Sequence, residues 1–75
     1  MEVDPPGLAE IVNILNFVDS RRMCEWKKIP NASATDVLHI VRHVLTQLDH
    51  KVYPELCRRL RFLYDAEVVR RVLLS

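Results

Sequence analysis

The sequence predicts an all-α protein, folded as a compact bundle of four to five short helices. Apolar residues recur at the i, i+3, i+4, i+7 spacing of a helical face along most of the chain. Gly7 is the only glycine in 75 residues, whereas sandwiches and barrels require many glycine-bearing turns. Apolar residues make up 49% of the chain, which excludes a disordered protein and, at this length, indicates a single helical domain over residues 1–75.

The first predicted helix runs from about Gly7 to Val18 and follows an extended lead over residues 1–6. Two adjacent prolines restrict φ in this lead and prevent an earlier helix start. One face of the helix is formed by Leu8, Ile11, Val12, Leu15 and Val18. Ile14 and Phe17 widen that face well beyond a simple stripe.

The segment after this helix predicts either a second short helix or a continuation of the first. Asp19-Ser20 is a typical N-cap pair, and helical structure would extend from Arg21 to Lys28. The apolar members of this segment are Met23, Cys24 and Trp26. Pro30 ends it, because the residue before a proline avoids the α region.

Helix three is predicted to begin after Ser33 and to end near Leu48. Ser33 and Asp36 match the spacing of a capping box, with aspartate in the usual glutamate position. The apolar stripe of this helix consists of Val37, Val41, Val44 and Leu48, and is widened by Leu38, Ile40 and Leu45.

Two further helices are predicted in the last part of the chain. Pro54 fits the first turn of helix four, which is expected to end near Leu63 or Tyr64. Asp65 is the expected N-cap of the last helix, with Glu67 in its favourable first turn. The apolar stripes of the two helices are Leu56, Leu60 and Leu63, and then Val68, Val69, Val72 and Leu73.

Helices one and three contain more apolar residues than a bundle of this size is expected to bury. A surface helix usually keeps one face polar, and a few short helices offer few central positions. We therefore predict an exposed aliphatic face that binds a partner helix or helical domain. The candidate partner-binding residues are Ile11, Ile14, Phe17, Leu38, Ile40 and Leu45. The alternative is an unusually compact core that buries them.

Arginines are concentrated in the last two predicted helices. Arg58, Arg59, Arg70 and Arg71 are expected to orient a partner and to speed encounter. A helical DNA- or RNA-binding domain is an alternative, because arginine binds phosphate well. The net charge of +1 and the acidic residues interleaved with these arginines favour a protein partner.

The sequence contains no motif that indicates catalysis, a cofactor or a metal site. His39 and His43 have the spacing of a metal pair on a helix, but Ile40 stands where a zinc protease has its glutamate base. Cys24 and Cys57 form no Cys-x-x-Cys pair. The acidic, proline-containing start and the lack of a long apolar run predict an intracellular protein, cytoplasmic or nuclear. We expect no enzyme activity, no cofactor, no small-molecule substrate and no membrane association.

Residues 48–60 (LDHKVYPELCRRL) resemble the middle of Mozart-type mitotic-spindle organising proteins, and the resemblance extends to residue 73. Leu48-Asp49 would match the first turn of that family. The middle helix would contain Val52, Tyr53, Leu56 and Leu60, and the last helix Val68, Val69, Val72 and Leu73. Residues 1–34 have no counterpart. The resemblance implies a small helical protein that intercalates with the N-terminal helical regions of γ-tubulin complex proteins.

The predicted function is therefore a non-enzymatic protein-interaction module or small adaptor subunit. Its partner is expected to be another helical protein or a second copy of the chain, in which case the same face closes a homodimer. The sequence leaves open the identity of the partner, the helix face that is exposed and the oligomeric state. It also leaves open whether the chain is complete or the N-terminal domain of a longer protein.

Overall fold

A computed structural model of the protein describes residues 6–74, which form a bundle of three helices. These are α1 (Pro6–Ser20), α2 (Ala34–Gln47) and α3 (Pro54–Leu74), and the described residues include no strand. The predicted all-α class is confirmed, whereas the predicted count of four to five helices is wrong. Pro6 belongs to α1 rather than to an extended lead, and the remainder of that predicted lead, residues 1–5, lies outside the described residues.

The C-terminus of α1 is a Schellman motif, and no second helix follows it. The Met23 N–H donates to the Val18 carbonyl oxygen at 3.1 Å. The Arg22 N–H donates to the Asp19 carbonyl oxygen at 3.0 Å, with Arg22 in the left-handed conformation at φ 54°. The predicted helix over this segment is therefore wrong, because these bonds end α1, and residues 21–33 form turns and an extended loop.

Three contacts hold this loop against the helices. Lys28 Nζ lies 2.9 Å from Asp19 Oδ2, which ties the loop to the end of α1. His43 Nε2 lies 3.0 Å from the Glu25 carbonyl oxygen, which ties it to α2. Trp26 is partly buried and packs against the core. The loop is thus anchored at both of the helices that it connects.

The start of α2 confirms the predicted capping box. The Asp36 N–H donates to Ser33 Oγ at 3.2 Å, and the Ser33 N–H donates to the Asp36 carboxylate at 3.1 Å. The helix ends at Gln47, and the Leu48 N–H still donates to the Val44 carbonyl oxygen at 2.9 Å. Because the whole device lies within four residues, the local sequence is sufficient to predict it.

α3 is one continuous helix of 21 residues, so the predicted break near Tyr64 and Asp65 is wrong. The Asp65 carboxylate lies 3.5 Å from the guanidinium of Arg61, one turn earlier in the same helix. No proline or glycine follows Pro54 within α3, so no residue forces the backbone out of the helical conformation. The misleading signal is Asp65, which is a favourable N-cap residue but lies inside the helix, together with Glu67 two residues later.

The core lies where the three helices meet. Its buried residues are Ile11, Leu15 and Val18 of α1, Leu38, Val41 and Val44 of α2, Leu48, and Cys57, Leu60 and Leu63 of α3. α1 and α3 run antiparallel, since Gly7 lies beside Glu67 while Glu10 pairs with Arg59. Each helix packs on both of the others. None of the described helices is both long enough and apolar enough to cross a membrane.

Candidate protein-interaction surface

Of the six predicted partner-binding residues of α1 and α2, two lie in the core and three pack against it. Ile11 is 0% exposed and Leu38 is 8% exposed, so these two predicted partner-binding side chains lie in the core and present almost no surface to a partner. Ile14, Ile40 and Leu45 are partly buried and pack against the core. The physical reason is the three-helix arrangement: a helix with two neighbours buries a wide face, and this absorbs most of the apolar surplus.

Among the predicted residues that keep some accessible surface, Phe17 and Ile40 lie in different parts of the fold. Phe17 is exposed, and the Arg21 guanidinium lies 5.2 Å from the centre of its ring. Ile40 lines a small groove with Trp26 and Ile29 where the α1–α2 loop meets α2. These two places lie on different helices, and the predicted set does not form one continuous face.

A line of exposed apolar side chains lies on α3 instead. We call it the α3 strip and define it as Phe62, Ala66, Val69 and Leu73. Phe62 is 60% exposed, Val69 is 56% exposed and Leu73 is 77% exposed, and Ala66 is exposed between them. The spacing of four, three and four residues places all four side chains along one side of the helix. Together they line a shallow groove whose edges include Asp65 and Arg70.

The α3 strip lies on the side of the helix that points away from the core. Cys57, Leu60 and Leu63 occupy the buried side. At 3.6 residues per turn, the strip is rotated by about 150° from Leu60 around the helix axis. α3 is therefore apolar on two opposite sides, one of which is covered by α1 and α2 and one of which is not.

This surface was not predicted, because the late apolar residues were assigned to the stripe of a last helix, separate from the helix that contains Phe62. Val69, Val72 and Leu73 are all exposed, whereas Val68 of that predicted stripe packs against the core. Phe62 was assigned to no stripe. The available signal was the spacing of residues 62, 66, 69 and 73, which becomes visible only when residues 54–74 are treated as one helix.

Arg59 connects the α3 strip to α1. Its guanidinium donates two hydrogen bonds to the Glu10 carboxylate, each of 2.7 Å, and lies 5.5 Å from the centre of the Phe62 ring. The hydrogen bonds from Arg59 lower the pKa of the Glu10 carboxyl, and the same bonds raise the pKa of Arg59. This bidentate pair links residues 49 positions apart and holds Arg59 beside the strip.

The other predicted orienting arginines do not form one patch with Arg59. Arg58 pairs with Glu55 at 3.1 Å on the exposed side of α3. Arg70 and Arg71 both lie near the Glu67 carboxylate, at 3.6 Å and 3.7 Å. Arg71 lies on the core side of the helix, as its spacing from Leu60 requires. Each of the four arginines thus has an acidic neighbour within the chain.

Glu67 is the buried charged residue at the junction of α1 and α3. It is 4% exposed, and its Oε1 atom has no hydrogen-bond partner. A Cβ added to Gly7 would lie 2.9 Å from Glu67 Oε2, so the carboxylate sits against the first turn of α1. A negative charge is favourable at the N-terminus of a helix. Glu67 therefore supports the packing of α1 on α3.

The histidines and cysteines have structural surroundings. The His43 ring forms a hydrogen bond with the Glu25 carbonyl of the α1–α2 loop. His50 Nε2 lies 2.9 Å from the Leu45 carbonyl oxygen. Within residues 6–74, no group of three His, Cys, Asp or Glu side chains is placed to hold a metal ion.

Burial raises the pKa of the Cys57 thiol, with Asp49 adding to the effect. Burial and Glu25 likewise raise the pKa of Cys24, so both thiols are poor nucleophiles at neutral pH.

Comparison with protein-family models, curated proteins and solved structures found no match to this chain. The resemblance to Mozart-type proteins therefore stays a prediction. The structure adds one fact about it: residues 64–66, which would correspond to the second turn of that family, lie within the continuous helix α3.

Proposed function

We propose that the protein is a non-enzymatic interaction module that binds another protein through the α3 strip. The observation that carries this proposal is the line of exposed apolar side chains from Phe62 to Leu73 on an ordered helix. Exposed apolar patches on small proteins are typical of interaction sites. The chemistry that fits the strip is an amphipathic helix with its own apolar residues at heptad spacing.

The strip has the shape that helix-on-helix packing requires. Phe62 and Leu73 provide large side chains at its two ends, and Ala66 between them permits close approach of a second helix backbone. α3 is held in place by the core, so a partner need not order it on binding. Each Å² of apolar area removed from water contributes roughly 25 cal/mol before association costs are subtracted.

The charges around the strip favour a protein partner over nucleic acid. Arg58 and Arg59 each pair with a carboxylate of the same chain, which reduces the positive charge available to phosphate. Asp65 at the edge of the groove adds a negative charge there. We expect these groups to orient a helical partner rather than to supply most of its affinity.

Substitution of the strip tests this proposal. Val69→Asp is expected to abolish partner binding and to leave the helical content unchanged, because Val69 makes no contribution to the buried core. Val52→Asp is the matched control, since Val52 is equally exposed but lies in the α2–α3 loop. Both tagged variants and the wild type would be used for affinity capture from the cells of origin, with mass spectrometry of the eluate.

The expected result is a stoichiometric helical protein that is captured by the wild type and by Val52→Asp but not by Val69→Asp. Capture of a γ-tubulin complex component would identify the partner that the Mozart resemblance implies. Equal capture by all three proteins would show that the strip is not the binding surface. Recovery of nucleic acid, lost steeply as salt is raised, would favour the arginine-based alternative.

A further inference from the structure

We infer that the helix that covers the α3 strip is α3 of a second copy of this chain, packed in parallel and in register about a two-fold axis. This inference rests on the proposed function, because it names the occupant of the same strip. Both the order of apolar residues along the strip and the charges that flank it support a parallel pair.

The strip follows the heptad pattern of a coiled-coil seam. Phe62 and Val69 fall at d positions, and Ala66 and Leu73 fall at a positions. In a parallel pair, each of these residues would face its own counterpart in the second copy. Two heptads are too short for an isolated coiled coil, but the core already holds α3 in helical form, so helix nucleation imposes no further penalty.

The charges at the edges of the strip match a parallel pair. Asp65 occupies a g position and Arg70 the following e position, five residues later. In parallel coiled coils, a g residue faces the e residue of the next heptad on the other helix. Asp65 of each copy would therefore face Arg70 of the other copy, and two-fold symmetry forms this pair twice.

The contacts within one chain leave both groups available for this pairing. Asp65 lies 3.5 Å from Arg61, and Arg70 lies 3.6 Å from Glu67, distances longer than those of good hydrogen bonds. The side chain of Asp65 is 59% exposed and that of Arg70 is 41% exposed.

An antiparallel pair uses the same apolar residues but gives the charges no partner. With Phe62 opposite Leu73, g positions face g positions and e positions face e positions. Asp65 would then lie nearest to Val72 of the second copy, and Arg70 nearest to Leu63, which is buried in its own core. The charge pattern therefore selects the parallel arrangement.

Four apolar layers form a contact smaller than the roughly 1,200–2,000 Å² of a standard interface. We therefore expect a weak dimer whose population rises with protein concentration, as sedimentation velocity would measure.

Reversal of one charge turns two attractive contacts into two repulsive ones. Asp65→Arg alone and Arg70→Asp alone are each expected to weaken dimerisation roughly tenfold.

A mixing experiment separates this charge effect from a folding defect. When Asp65→Arg and Arg70→Asp chains carrying different fluorophores are mixed, the opposite charges meet at both sites of the mixed dimer. Energy transfer in the mixture should therefore indicate association at least as strong as that of the wild type. If the mixture associates no better than either variant alone, the assigned pairing is wrong.

A thiol cross-link tests the register. In a background with Cys24→Ser and Cys57→Ala, Leu73→Cys is expected to form a disulfide-linked dimer under mild oxidation, because a parallel pair brings the two new thiols together. Val52→Cys in the same background is the control and should remain monomeric. Failure of Leu73→Cys to cross-link above this control would overturn the parallel arrangement.

The outcomes for this inference and for the proposed function are distinguishable. A wild-type chain that remains monomeric at every concentration, yet loses a captured partner on Val69→Asp, would overturn the dimer and leave the proposed function in place. A dimer that is insensitive to Val69→Asp and to both charge reversals would contradict this inference and remove the support for the strip as a binding surface.

Discussion

Two positions on the same helix test whether the two sides of α3 have the roles assigned to them. Leu60 is fully buried in the core, whereas Phe62, two residues later, is mostly exposed on the α3 strip. We predict that Leu60→Ala destabilises the protein strongly and that Phe62→Ala does not. The expectation runs against residue size, because phenylalanine is the larger side chain and would cost more to truncate if both were in the core.

The expected magnitudes follow from burial. Leu60→Ala removes a fully enclosed side chain and is expected to cost about 3–4 kcal/mol. A chain of this length has a total stability of roughly 4–11 kcal/mol, so this loss leaves a marginal fold. Phe62→Ala loses an exposed cation–π contact with Arg59, of about 0.5–1 kcal/mol, and gains about 0.5 kcal/mol of helix propensity. Its net effect is expected to be close to zero.

Urea unfolding followed by circular dichroism would measure both changes. The protein concentration should be low, so that self-association through the strip does not contribute to the stability of the wild type. The expected difference between the two variants is about 3 kcal/mol. If Phe62→Ala destabilises the protein as much as Leu60→Ala, then Phe62 belongs to the core, and the strip is not a free surface.

Three further predictions concern the ends and contacts of the helices. Arg22→Gly is expected to stabilise the protein by about 0.5–1 kcal/mol in thermal unfolding, because glycine adopts the left-handed conformation without strain; a loss of stability would contradict this. Glu10→Gln is expected to lower stability at neutral pH. Arg59 lowers the pKa of Glu10 in the folded protein below the ordinary value of 4.5. The difference in free energy of unfolding between the wild type and Glu10→Gln should therefore be constant above that value and disappear as pH falls below it. A difference that does not change with pH would refute the pairing. Cys24 is expected to react with a thiol reagent faster than the more deeply buried Cys57, and equal rates would place Cys57 at the surface.

Features that depend on a few neighbouring residues were predictable from the sequence. The capping box of Ser33 and Asp36 is complete within one helical turn, and the structure contains both of its hydrogen bonds. The end of α1 is equally local, but its signal is weak, because Arg22 occupies a position where glycine is the usual indicator. The tertiary contact of Met23 with the core accompanies this turn.

Features that depend on which helices pack together were decided only by the tertiary structure. The sequence determined that the chain is helical and that its helices carry wide apolar faces. It did not determine that Asp65 would lie inside a continuous helix and pair with Arg61, so α3 was predicted as two helices with Asp65 as the N-cap of the second. Nor did it separate Ile11, which is buried in a core shared with α2 and α3, from Phe62, which is mostly exposed. Hydrophobic spacing identifies a face of a helix, but only the packing of distant helices decides whether that face is covered.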